Sequence, residues 1–249
     1  MKRINLLAMA LPVFCCLFSW SATQAYADTA VTMQFTGVGG NNSGGVYTYP
    51  YDFTVTVTSP GGAVQNLQLM CISFNEEIFQ QQPNETWSAN VVTAGSLGSL
   101  DEEYAYLYSQ SAANVSSNLM SGADNWAAWA LGQDPSDPDA FLTNPGGGAT
   151  AITGAELSDA KADVTAAEDL TQTELDAYAN YQVYIPTSAG YGGNPQKDDG
   201  TPQTFIGGVS PIPLTSPVPE PGSLLLLGTG LLGLATLLYY KRNSGARSS

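Results

Sequence analysis

Cys71 is the side chain best equipped for covalent chemistry in this sequence, and it stands alone. The other two cysteines, Cys15 and Cys16, fall in an apolar N-terminal segment, so the central region has one thiol and no intrachain disulfide. A thiol becomes a good nucleophile when a neighbouring positive charge lowers its pKa, and no basic residue lies near Cys71 in the chain. Histidine is missing from all 249 residues. That removes the commonest general base, the Ser–His and Cys–His nucleophile pairs, and the usual zinc ligands together. What remains is carboxylate chemistry. Glu76-Glu77, Asp101-Glu102-Glu103 and Glu168-Asp169 are runs of adjacent acids. Neighbours on a strand face opposite sides, and acids in a helix first turn favour the macrodipole. None of these runs announces the raised pKa that a glycoside-hydrolysing acid needs. Asp134, Asp137 and Asp139 crowd a single loop, as oxygen ligands of calcium do. They lack the glycine and the terminal glutamate of a calcium loop, and Pro135 and Pro138 interrupt them. A capped helix end with solvated acids is the reading. No metal and no cofactor is expected, and the chain reads as non-catalytic.

The elements that must position these residues change period along the chain. Thr29–Val38 alternates around Val31, Met33 and Phe35, and a Gly/Asn loop follows at 39–45. Residues 46–58 place Tyr47, Tyr49, Tyr51, Phe53, Val55 and Val57 at period two, with Pro50 marking a bulge or an edge. Ser59-Pro60-Gly61-Gly62 is a turn, and 67–74 and Thr86–Thr93 are further strands. The middle then turns helical. Ser99-Leu-Asp-Glu102 predicts a capping box and a helix through Ala112 that carries Tyr104, Leu107 and Tyr108 on one face. Ser121-Gly-Ala-Asp124 predicts a second helix through Leu131, with Trp126 and Trp129, ended by the Asp134–Asp139 loop. Thr153/Glu156 and Thr171/Glu174 are two more capping boxes, for helices at 154–170 and 172–181. Returning strands are expected at 181–185 and 203–209, with a flexible loop at 194–200. The class is α+β: an antiparallel β-sandwich or small barrel with an inserted or packed helical segment, plus a single C-terminal transmembrane helix.

Both ends carry targeting signals. Met1-Lys2-Arg3 is a basic start, residues 6–20 are apolar, and Ala25-Tyr26-Ala27 is a small-x-small site, so 1–27 reads as a signal peptide. Cleavage is expected after Ala27, with Ala25 as the alternative. The domain expected to be exported, 28–209, continues through a Pro-rich spacer at 210–217. Across 28–217, 21 acidic residues face only Lys161 and Lys197, a net charge of −19, against −15 for the whole chain. Such a surface repels phosphate backbones, so no nucleic-acid partner is expected.

The tail at 218–249 is the most specific stretch. Val218-Pro219-Glu220-Pro221 is followed by an uncharged apolar run at 222–240 and by the basic stop Lys241-Arg242. At ~1.5 Å rise per residue the run is just long enough to cross the hydrocarbon core, with the basic residues held on the cytoplasmic side. Gly228-Thr-Gly230-Leu-Leu-Gly233 matches a dinucleotide fingerprint, but it lies inside this run and follows no strand, so the match is accidental. In its order of features the tail resembles the PEP-CTERM sorting signal of exported bacterial proteins. The resemblance implies recognition and processing by an exosortase-type enzyme, passage across the inner membrane of a Gram-negative cell, and a fate in the envelope, on the surface or in the matrix, with association with exopolysaccharide or biofilm. A second resemblance runs from Leu69-Met-Cys71-Ile-Ser to Trp129. It is similar to the surface thioester domains of bacterial adhesins, in which a strand cysteine bonds to a helix glutamine four residues before a tryptophan. Here the cysteine is Cys71, the tryptophan is Trp129, and the glutamine position holds Asn125, one methylene shorter. This resemblance implies, as an alternative, an adhesin acting through Cys71.

Overall fold

The computed structural model describes residues 28–39, 42–59, 62–74, 85–146, 149–187 and 202–209. All of them belong to the compact unit Asp28–Leu214. The expected signal peptide with Ala25 and Ala27, the acids Glu76 and Glu77, the expected loop at 194–200, and the tail from Val218 to Arg242 lie outside the described residues. The expected membrane-crossing segment at 222–240 is among the latter; within the described residues no helix is long and apolar enough to cross a membrane.

Among the described residues are eight strands and six helices, in the order β1 Thr29–Val38, β2 Asn42–Ser43, β3 Val46–Tyr47, β4 Tyr51–Val57, β5 Val64–Cys71, β6 Thr86–Thr93, α1 Ala94–Leu97, α2 Ser99–Ala113, α3 Asn118–Gln133, α4 Pro138–Thr143, α5 Gly154–Glu168, α6 Gln172–Leu175, β7 Tyr181–Pro186 and β8 Phe205–Val209. Six strands close into an antiparallel barrel in the order β1-β4-β5-β8-β7-β6. Of the two all-antiparallel architectures expected, the barrel is the one formed, and the helices enter as one insertion between β6 and β7. The period-two pattern accounts for the lining. Val31, Met33 and Phe35 of β1, Tyr51, Phe53 and Val55 of β4, and Trp87, Ala89 and Val91 of β6 are all buried. Phe53 sits at the centre, with ring centroids 4.7 Å from Phe205 and 5.6 Å from Trp87.

Pro50 does more than mark a bulge or an edge in the long tyrosine-rich run: it divides the run, β3 stopping at Tyr47 in the small hairpin and β4 beginning at Tyr51 in the barrel. The Gly/Asn loop forms a small hairpin of β2 and β3, turned by Gly44 and Gly45 with φ of 57° and 79°. Two successive positive φ angles are the requirement of a tight primed turn, which glycine meets at least cost.

Two of the expected helix starts shift, and a third keeps its start but forms no capping box. Ser99 is the first residue of α2 rather than its cap, which is Gly98, and no side-chain capping bond forms. The second helix begins a turn earlier than expected, capped by Ser117, whose hydroxyl accepts from Met120 N; Ser121 lies inside the helix. Thr153 makes no capping bond either, because Glu156 accepts from the Ser43 hydroxyl on β2 instead. Only Thr171/Glu174 works as a box, with Glu174 Oε2 accepting from Thr171 N at 2.8 Å. The helix it opens is one turn long, and turns rather than helix lead into β7.

From Ser121 to Leu131 every residue of α3 is buried, the pattern of a helix enclosed on all sides. It packs against α2, α4, α5 and the β2–β3 hairpin. An aromatic group of Phe74, Trp126, Trp129 and Phe141 packs along its C-terminal half, with Phe74 5.0 Å from Phe141 and 5.1 Å from Trp129.

Candidate functional site

The two positions singled out by the thioester-like resemblance do meet. Cys71 ends β5 in the barrel wall, Asn125 sits midway along α3, and both are fully buried. The contact runs through the backbone, however. Asn125 Nδ2 donates to the Cys71 carbonyl at 2.8 Å, and its Oδ1 accepts from the Tyr49 backbone N–H at 2.9 Å. One carboxamide thus ties the strap between β3 and β4 to the end of β5. The Cys71 thiol points its proton to the Ser73 carbonyl, 3.3 Å away. An internal thioester requires the sulfur to attack the amide carbon and expel ammonia. In this arrangement both polar ends of the amide are engaged in holding two buried backbone groups that would otherwise cost about 1–3 kcal/mol each. Asn125 is a clasp.

The acidic loop is likewise structural. Asp134 Oδ1 accepts from Ser136 Oγ at 2.7 Å and from Asp137 N at 3.2 Å. Asp137 caps α4 by accepting from Ala140 N at 3.0 Å. Asp139 pairs with Lys161 at 2.8 Å, and this exposed pair adds at most ~1 kcal/mol.

Raised carboxyl pKa values do occur, and one falls on a run that showed no sign of it. Burial first and then the neighbouring Glu102 push Asp101 up to about 6. The stronger case is Asp124 on α3, 2 % exposed. Burial, then the charge of Asp163 on α5, lift it from 3.8 to about 8, although the Ser111 hydroxyl acts in the opposite sense. Asp163, facing it, is raised to about 6 by burial and by Asp159. The two carboxyls lie within hydrogen-bonding reach, so near neutral pH they hold a proton between α3 and α5. With Asp124 shut off from solvent, this pair acts on helix packing rather than on a substrate.

A third feature escaped the sequence reading. The barrel is incompletely zipped between β5 and β8, whose ladder consists of Met70↔Ile206 and Cys71↔Phe205. Ile72 N donates to Thr204 O across the same junction. By period two, the outward backbone groups of Gln68, Asn66 and Val64 face the same side, beyond the last ladder pair. Tyr108 of α2 is wedged there: its hydroxyl donates to the Gln68 carbonyl at 3.1 Å and lies beside the Gly208 N–H of β8. Around it opens a pocket of about 360 Å³ lined by Tyr49, Asn66, Gln68, Tyr108 and Gly208, among others. Tyr108 also starts a chain of rings. Its centroid is 5.6 Å from Tyr49 and 6.0 Å from Tyr181, with Tyr178 5.8 Å further on and Tyr106 5.6 Å beyond that. These rings come from the strap before β4, from α2, from the turn after α6 and from β7, so no spacing in the sequence announces them. The one visible hint was the placement of Tyr104, Leu107 and Tyr108 on one helix face. There Tyr104 and Leu107 enter the core, and Tyr108 stays half-buried at the seam.

No curated protein and no solved structure matches the chain. The tail does match: the sequence model of the PEP-CTERM protein-sorting motif covers residues 217–241, a span that holds Val218-Pro219-Glu220-Pro221, the apolar run and Lys241. Proteins with this motif are exported and directed by an exosortase to the bacterial envelope or surface. The chain thus carries the PEP-CTERM protein-sorting motif at 217–241, which marks it as an exosortase-targeted exported protein.

Proposed function

We propose that this exosortase-targeted protein is non-catalytic and presents an acidic barrel-and-helix domain in the surface layer or extracellular matrix of a Gram-negative bacterium, in association with exopolysaccharide. The observation that carries the reading is the sorting motif at 217–241, placed directly behind a domain with a net charge of −19 over 28–217. Absence of histidine from the sequence supports the non-catalytic part, as does the use of Asp134, Asp137, Asp139 and Asn125 in turns, caps and clasps. In this reading Pro219-Glu220-Pro221 is the recognition element and Lys241-Arg242 the stop that holds the apolar run in the inner membrane until processing. Ala27 ends the signal peptide. Replacing Pro219, Glu220 and Pro221 together by alanine tests it: the unprocessed protein should accumulate in the membrane fraction and vanish from the surface. Unchanged processing and display would overturn it.

A second reading, a covalent adhesin acting through Cys71, rests on the two positions being brought together in the core, although their 2.8 Å contact is to the Cys71 backbone carbonyl and not to the thiol. Intact mass separates the two. The adhesin would be lighter by one ammonia than its processed sequence requires and would take up methylamine, whereas the non-catalytic protein would show the unmodified mass of that sequence and no uptake.

A further inference from the structure

We propose that the seam between β5 and β8 is a binding site for a neutral glycan. The proposal deepens the exopolysaccharide association above by naming a place for it. Where the ladder between the described residues ends, two amide side chains, Asn66 and Gln68, stand exposed on the outer face of β5. Each amide is half used. Asn66 Oδ1 accepts from Thr54 Oγ1 at 2.9 Å, leaving its Nδ2 as a donor; Gln68 Nε2 donates to Asp52 Oδ1 at 3.1 Å, leaving its Oε1 as an acceptor. Tyr49 and Tyr108 supply ring surface; their hydroxyls are engaged within the protein, Tyr49 with Tyr108 and Tyr108 with the Gln68 carbonyl, so the amides carry the polar contacts. A sugar residue presents hydroxyls at its rim and C–H groups on its faces, and this lining answers both. The volume lies in the range of small-ligand sites.

Charge decides which glycan. No lining residue is ionisable at neutral pH, and the surrounding domain is strongly acidic, so uronate or phosphate polymers are repelled while a neutral chain is not. An added peptide strand fits less well. Tyr108 already occupies the Gln68 carbonyl, which leaves too few edge groups for the row of main-chain bonds that strand addition uses. The half-buried rings of Tyr181, Tyr178 and Tyr106, spaced 5.6–6.0 Å apart beyond Tyr108, give successive sugar residues of one polymer a track to follow.

The test is retardation of the exported protein in native gels cast with a soluble neutral β-glucan, a neutral mannan or polygalacturonate. At least one neutral polymer should retard it and polygalacturonate should not. The Asn66→Ala/Gln68→Ala double variant changes two exposed side chains. It should melt like the wild type yet bind the retarding polymer at least ~5-fold more weakly, the loss of about one hydrogen bond. Ser158→Ala, on the exposed side of α5, should bind as wild type does. No retardation by either neutral polymer, retardation by polygalacturonate alone, or equal retardation of the double variant would each overturn the site. Sorting is read separately, in cells carrying the Pro219–Pro221 replacements. A protein that is sorted but binds no glycan therefore sinks the site alone, and one that binds glycan but is not sorted sinks the itinerary alone.

Discussion

Removing the Asn125 side chain should be among the costliest single changes in the domain. Asn125→Ala deletes two hydrogen bonds, at 2.8 and 2.9 Å, in a place where neither partner can turn to water: Cys71 is fully buried and Tyr49 is 3 % exposed. The Cys71 carbonyl and the Tyr49 N–H are then both orphaned. At about 1–3 kcal/mol for each, with a small cavity added, the loss comes to roughly 3–5 kcal/mol. For a domain of this size that is a drop in Tm on the order of 10 °C. Urea unfolding followed by tryptophan fluorescence is a suitable assay, because Trp126 and Trp129 lie on the same helix as Asn125. The midpoint should fall with the slope unchanged. Asn125→Asp supplies an internal control. Its carboxylate still accepts from Tyr49 but has no proton for Cys71, so it should be destabilised at pH 7. Burial raises its folded pKa, so stability should return as pH falls and the proton comes back. An Asn125→Ala protein within ~0.5 kcal/mol of wild type would refute the clasp.

Two further outcomes follow from the geometry. The raised pKa of Asp124 means that the folded state binds a proton more tightly than the unfolded chain does; its contribution is complete below pH 3.8 and is lost as pH rises to about 8. Between those limits the wild type should lose up to ~1.4 kcal/mol per pH unit relative to Asp124→Asn, which is neutral throughout, and the variant should be the more stable protein at pH 8. Parallel pH profiles for the two proteins would refute the shared proton. In the β2–β3 turn, Gly45→Ala should cost only ~1 kcal/mol, for the left-handed backbone alone, since nothing lies within 4 Å of a Cβ there. Gly44→Ala should cost at least ~2 kcal/mol more in thermal unfolding, because its Cβ would meet the Thr150 carbonyl and lie 2.6 Å from Trp126 Cζ2; equal costs would contradict the packing of the hairpin on α3.

What could be read from the residues alone follows the range of the interactions involved. β1 and β6 were legible to the residue, because Val31, Met33 and Phe35, and Trp87, Ala89 and Val91, write the burial of one face into a local alternation. Barrel closure was not, since it rests on Met70 meeting Ile206 across more than a hundred residues. Capping boxes misled where a tertiary partner competed: Glu156 bonds Ser43 rather than Thr153, and Ser121 is overtaken by Ser117. Asn125 was noticed as a residue in an unusual place, but its role depends on Tyr49 N and Cys71 O, which only the fold brings to it. The same holds for the tyrosine seam, assembled from four separate elements, and for Asp124, whose raised pKa depends on Asp163 in the next packed helix. The sorting tail is the opposite case. Its information is linear, three features in order within 217–241, so no folding is needed to read it.

The most direct test of the whole account is the C-terminal mass of the protein recovered from the cell surface. If the tail is a sorting signal, that protein ends near Pro221 and lacks the apolar run at 222–240, and cells deprived of their exosortase keep the full chain to Ser249 in the membrane. Surface-exposed protein that still ends at Ser249 in exosortase-competent cells would contradict it.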